Sequence, residues 1–214
     1  MDENIVYSNV SLAKSVVIGS FNVLGAFHRR LAVKYGEDPS LPPPPNREWR
    51  PVSVGERTVI CNHTVIYEGV SIGEDSYVDD FVRIGSDTRI GPRTMLLYGA
   101  RVYDHVEIGS DCRVTGLVPG GVKIGDHVTV MGNLVHKYRR PLNWLRDEPS
   151  PVIEDNVVVG YGAVVVGDIT IGAGSYVAAS ATVTKDVPAN SMVLGTNEIM
   201  PIEEFELRKQ QKGQ

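Results

Sequence analysis

From Val54 to Val114 an aliphatic residue stands at every sixth position without a miss: Val54, Ile60, Ile66, Ile72, Val78, Ile84, Ile90, Leu96, Val102, Ile108 and Val114. An α-helix advances about 100° per residue, so side chains six apart point roughly 240° from one another and share no face. A long strand would place apolar residues at every second position. Two after these aliphatics, however, stand Glu68, Glu74, Asp80, Ser86, Pro92 and Asp104. The remaining possibility is a short strand followed by an obligatory turn, repeated along the chain, which is a solenoid. A second inward position falls four residues after each aliphatic and holds Thr58, Thr64, Val70, Ser76, Val82, Thr88, Thr94, Ala100, Val106 and Cys112. All of these are small. Bulky residues at mid-face and small ones at the corners are what a narrow prism needs to close at native packing density.

The same spacing continues in Val118, Ile124 and Val130, and again in Ile153, Val159, Val165, Ile171, Val177 and Val183. Upstream, Val6, Leu12, Ile18 and Leu24 keep it too. The phase changes predict three excursions, near residues 29–52 (with Pro42 to Pro45), 115–121 and 137–151, and loops held by a rigid scaffold are where function usually sits. Residues 1–198 read as one all-β domain, and 199–214, charged and weakly helical, as a short C-terminal helix and tail.

Composition narrows the function classes. A net charge of −5 lacks the basic field that nucleic-acid binding requires. No apolar run reaches 18 residues and the acidic start MDENIVYSNV lacks a signal-peptide layout, so the expectation is a cytoplasmic protein with no membrane partner. The two cysteines, Cys61 and Cys112, are too few for a disulfide framework, and Cys112 falls on a core position.

The units IGEDSY, IGSDTR and IGAGSY, with glycine after the aliphatic and a small residue at the corner, resemble the hexapeptide-repeat acyltransferases. The resemblance implies a left-handed parallel β-helix with three faces per coil. About 24 repeats would then make about eight coils, roughly 38 Å tall at ~4.8 Å per strand. It also implies a homotrimer whose clefts between subunits take acetyl-CoA as co-substrate together with a small-molecule acceptor.

Two stretches are most similar to the xenobiotic and the maltose and galactoside O-acetyltransferases. In VMGNLVHKYRRPLNW, His136 lies six after Val130 and opens an excursion. The resemblance makes it the general base, a role suited to an imidazole because transfer from a thioester requires removal of the acceptor's proton near neutral pH. In AASATVTKDVPANSMVLGTN, matched to the coil along which the cofactor's pantetheine lies, the resemblance offers Gly162, Ala163, Ala179, Ser180, Thr184 and Lys185 as cofactor contacts. Small side chains let a ligand approach the backbone, and Lys185 can pair with phosphate. Where the family usually closes this coil with Gly-Asn-Pro-Ala, this chain has GTNEIMP.

Lys137, Arg139, Arg140 and Trp144 share the His136 excursion and are suited to an anionic ligand or to covering a cleft, and Asp147, Glu148 and Glu154 follow as carboxylates near the base in sequence. His28 reads as a loop residue, and His63, His105 and His127 as corner residues. A carbonic-anhydrase-like metal site would need His105 and His127 to stack on adjacent coils, and its HxxxxH spacing is missing, so no metal is expected. The competing class is a noncatalytic prism acting as a scaffold or binding subunit.

Overall fold

The computed structural model describes residues 3–27, 48–138, 148–196, 198–204 and 207–208. The period of six is realised as short strands on three faces, with strands on a face pairing in parallel from one coil to the next. Face 1 begins with Ile5–Val6, face 2 with Val10–Leu12 and face 3 with Val17–Ile18, and the chain then returns to face 1 at Val23–Ala26. Face 1 runs as six strands to Leu117–Val118 and is continued by Asn133–Val135, Val164–Val166 and Thr182–Val183. Face 2 carries eight strands plus the isolated bridge of Val187 to Ile171. The prism therefore has nine levels. Among the described residues no helix is long and apolar enough to cross a membrane.

From Leu24 onward the core follows the list read from the spacing, whereas in the first coil Val6 and Leu12 are exposed and Ile18 is half-buried, because no coil covers them from above. Ile60, Ile66, Val78, Ile84, Leu96, Val102 and Val114 are fully or almost fully buried, and so are the small corner residues from Thr58 to Cys112. The thiol of Cys112 donates to the carbonyl of Gly125 at 3.1 Å, and burial pushes it above the usual thiol value.

Three steps depart from six. Val114 to Val118, Val130 to Leu134 and Val183 to Val187 each span four residues, and all six of these side chains point inward and are buried. A step shortened by two keeps the alternation of inward and outward side chains, so the core survives it. This corrects the predicted excursion at 115–121, because those residues stay in the prism as a tight turn and the strand Leu117–Val118. The turn is tight enough to need glycine, since a Cβ on Gly116, at φ +74°, would lie 2.3 Å from the carbonyl oxygen of Gly132. The extra short steps also explain nine levels where about eight were expected. At the other end, 198–201 is a strand paired antiparallel to Ser191–Leu194 rather than the start of a helix, and helical residues follow at 202–204 and 207–208. Residues 28–47 and 139–147, the bulk of the other two excursions, lie outside the described residues.

Each corner stacks its turn residues into a column. Between faces 2 and 3 the column alternates in charge: Arg57 bonds Asp75 through Nε at 2.6 Å, and Arg93 bonds Asp111 through Nε at 2.8 Å and Nη2 at 2.7 Å. Hydrogen bonding from Arg57 holds the Asp75 carboxyl below the usual carboxylate value, and Arg93 does the same for Asp111. A carboxyl whose value is lowered by folding stabilises fully at neutral pH and loses that contribution as pH falls through the lowered value. The gap in melting temperature between wild type and Asp75→Asn/Asp111→Asn is therefore expected to be small at neutral pH, because all four groups face water, and to close as the pH falls below about 4 through the lowered values. A gap that stays constant down to pH 2 would contradict this.

Candidate active site

The corner between faces 1 and 2 gathers the groups with chemical potential. Its upper part anchors the returning end of the first excursion. Arg50 bonds the fully buried Glu68 at 2.9 Å and also bonds Asp87, whose carboxylate lies 3.6 Å from Nδ1 of His105. Trp49 stacks on Tyr7 with ring centroids 5.6 Å apart. A buried carboxylate of this kind needs its cation, because burying a charge without a partner is costly.

Lower on the same corner lies His136. The inward residue of its coil is Leu134, four after Val130, so His136 sits two residues past the core position on the outer side of the turn, half-buried. Reading it six after Val130 had counted it into the inward register, and the short step displaces it outward. Its Nε2 lies 3.2 Å from the carbonyl oxygen of Gly120, which also accepts from the Ser150 hydroxyl at 2.6 Å. A carbonyl only accepts, so Nε2 is the donor in this contact and carries a proton. The backbone N–H of Lys137 donates to the carbonyl of Pro149 at 3.3 Å, so the chain leaves the prism and re-enters it at adjacent points, with Glu148 buried at the re-entry. The ring of the exposed Tyr138 stands 5.9 Å from that of His136. Of the residues flagged beside His136, Lys137 is exposed, whereas Arg139, Arg140, Trp144 and Asp147 fall outside the described residues.

The six cofactor candidates separate into two edges of one sheet. Val166 pairs with Val135, and Val165 with Val183. Thr184 and Lys185 are therefore exposed on the His136 corner, with Lys185 two levels below the imidazole, ~10 Å along the prism. Gly162, Ala179 and Ser180 lie on the opposite edge, between faces 3 and 1, with Gly162 at φ +70° and Ser180 at φ +59°. Ala163 is in the core. Its side chain is fully buried, its N–H bonds the Gly160 carbonyl and its carbonyl accepts from Asn133, so it packs beneath the corner and has no N–H left for a ligand.

His105 and His127 do not meet. His105 is on the corner between faces 1 and 2, while His127 is between faces 2 and 3, with Nδ1 4.0 Å from Asp111. Among the described residues, the grouping that brings three possible metal ligands within 4.8 Å is Cys61, Asp79 and Asp80, on the third corner. The Gly120 carbonyl, which bonds His136, and Ser150, which donates to the same carbonyl, were missed from the sequence. The only trace of them is the turn signal Pro119-Gly120-Gly121 and the small residue just before the repeat resumes.

Residues 150–185 match the model of the bacterial transferase hexapeptide, six repeats. The chain is 31% identical over 173 residues to the bifunctional protein GlmU of Geobacillus thermodenitrificans, an alignment covering 75% of this chain and 33% of that protein. The chain thus carries the transferase hexapeptide repeat over that stretch and is similar in sequence to these transferases. Another GlmU, from Bartonella bacilliformis, is 30% identical over 138 residues, covering 61% of this chain and 30% of that one. A 48-residue stretch is 52% identical to the 2,3,4,5-tetrahydropyridine-2,6-dicarboxylate N-acetyltransferase of Staphylococcus aureus, covering 22% of this chain and 20% of that enzyme. The chain thus spans about a third of the length of the GlmU proteins it matches. In three dimensions it is similar to LpxA from Acinetobacter baumannii, with a TM-score of 0.50 and 17% identity, covering 98% of this chain and 76% of that one. The fold is accordingly the left-handed parallel β-helix.

Proposed function

We propose that this hexapeptide-repeat protein is an acyl-CoA-dependent acyltransferase, with acetyl-CoA as co-substrate, acting as a cytoplasmic homotrimer on a hydroxyl or amine of a small polar acceptor such as a sugar, a nucleotide sugar or an antibiotic. The observation that carries the reading is His136, an imidazole fixed at the mouth of an excursion with its Nε2 on a backbone carbonyl. Support also comes from the relatives whose names include an acetyltransferase.

In this reading the His136 imidazole takes the proton from the acceptor's O–H or N–H while that atom attacks the thioester carbonyl. The Gly120 carbonyl, already bonded to Nε2–H, steadies the imidazolium as it forms. The tetrahedral intermediate is held at its oxyanion by a backbone N–H and then collapses. The C–S bond breaks, and the CoA sulfur leaves with the proton returned by His136. Lys137 and Lys185, both exposed on the His136 corner, supply positive charge for the cofactor's phosphates.

The direct test is a calorimetric titration with CoA, followed by thiol release from acetyl-CoA in the presence of amino sugars, sugars and antibiotics. Saturable CoA binding and acceptor-dependent thiol release are expected. No CoA binding by the assembled protein would favour the scaffold reading instead.

A further inference from the structure

The carbonyl that bonds His136 stands where a ladder breaks. Between faces 1 and 2 each turn passes one backbone hydrogen bond to the coil above: the N–H of Asp87 donates to the carbonyl of Glu68, that of His105 to Ser86 and that of Gly121 to Asp104, at 2.8 to 3.1 Å. The next donor in this column is the N–H of Lys137, and the Gly120 carbonyl is the acceptor in line for it. Lys137 bonds Pro149 instead, because the chain leaves the prism at this coil and re-enters beside its point of departure. Among the described residues no backbone N–H reaches the Gly120 carbonyl. Two side chains take it, His136 through Nε2 at 3.2 Å and Ser150 through Oγ at 2.6 Å.

The serine is the firmer of the two anchors. It lies between Pro149 and Pro151, which narrow its own backbone to extended conformations. The strand that follows, Val152–Ile153, pairs with Lys123–Ile124, and the same register carried back two residues sets Ser150 opposite Gly121. Its hydroxyl has one proton to give, and the Glu148 carbonyl, at 3.5 Å, is too distant to compete for it. The acceptor side is the softer one. In Pro119-Gly120-Gly121 the peptide between the two glycines has no side chain to hold its tilt, and Gly121 is at φ +76°. That peptide is planar, so its N–H and its carbonyl point opposite ways. The N–H is tied upward to Asp104; without Ser150, the carbonyl below would have only the imidazole that it has to orient.

We infer that Ser150 is a positioning residue for His136: its hydroxyl takes the place of the missing ladder N–H and keeps the Gly120 carbonyl aimed at Nε2. The inference rests on the reading of His136 as the base and names the residue through which that base is set. A hydroxyl suits the task because it occupies one lone pair of the carbonyl and leaves the other for the imidazole. The carbonyl, so held, favours the imidazolium that forms when the proton is taken.

Two measurements on Ser150→Ala test this, beside a thermal melt expected to match wild type because the side chain is only half-buried. The first follows the His136 imidazole by NMR in protein labelled at the histidine ε1 carbon, its signal identified by its loss in His136→Ala. Lys137 and Tyr138 beside the ring, Asp104 and His105 above it, Glu148 on the returning chain, and Asp168 and Lys185 below are the same in both proteins. With the carbonyl less firmly held the imidazolium is stabilised less, so the midpoint of the titration should lie lower by about 0.5 in pH. An unchanged midpoint would overturn the proposal. So would a rise, which would mean that Ser150 competes with His136 for the carbonyl. The second measurement is turnover: Ser150→Ala should lower kcat roughly tenfold with KM for acetyl-CoA unchanged, and should cost nothing further in the His136→Ala background. An equal loss in both backgrounds would give Ser150 a role apart from His136 and overturn the proposal as well. Because the titration needs neither CoA nor acceptor, it stands or falls separately from the catalytic reading.

Discussion

His136→Ala is expected to lower turnover about 10²- to 10⁴-fold, the usual range for losing a positioned general base, with CoA affinity and melting temperature unchanged. The side chain is only half-buried and lies outside the core register, so alanine removes a hydrogen bond to Gly120 without opening a cavity under the corner. The readout is thiol release from acetyl-CoA with a saturating acceptor, beside a thermal melt. His136→Gln is the sharper control, because its amide nitrogen stands at the ε position and can still donate to the Gly120 carbonyl but cannot take a proton at neutral pH. It should stay as inactive as the alanine variant. Turnover within a few fold of wild type in either variant would remove His136 from the mechanism.

The second large effect concerns parity. Deleting Ala100 alone turns the six-residue step from Leu96 to Val102 into one of five and exchanges inward for outward positions along the coils that follow. Each large aliphatic is worth about 1.5–3 kcal/mol when buried, so several displaced ones exceed the ~5–15 kcal/mol that stabilises a typical domain. The single deletion is expected to abolish cooperative unfolding. Deleting both Tyr98 and Ala100 should be tolerated. It leaves Leu96-Leu97-Gly99-Arg101-Val102, which matches the natural four-residue step Val114-Thr115-Gly116-Leu117-Val118 on the same corner, with glycine again at the position of positive φ. Circular dichroism melts of the two deletions decide the matter. If both unfold, or both survive, parity is not what holds the register.

How much could be read without coordinates differs between parts of the molecule. Strand and turn repeat locally, so the aliphatics from Val54 to Val114 announced the core on their own, and burial follows them residue by residue. Leu134 and Val187 escaped because a four-residue step breaks the period being counted, although it preserves the alternation on which packing depends. The same short step misplaced His136 in the register by two, while leaving its selection as the candidate base untouched.

The site is the opposite case. The Gly120 carbonyl is 16 residues from His136 and 30 from Ser150, and nothing in the spacing marks one carbonyl among many as the acceptor for an imidazole. Likewise the aromatic residues Phe21, His63, Phe81 and Tyr98 are scattered at unequal intervals along the chain and become a ridge only when the coils stack. Sequence alone determined the repeating unit, its two inward positions and hence the prism, because those follow from side-chain volume and turn chemistry within six residues. Only the tertiary structure decided which residues share a corner, because that depends on the running total of sixes and fours between them.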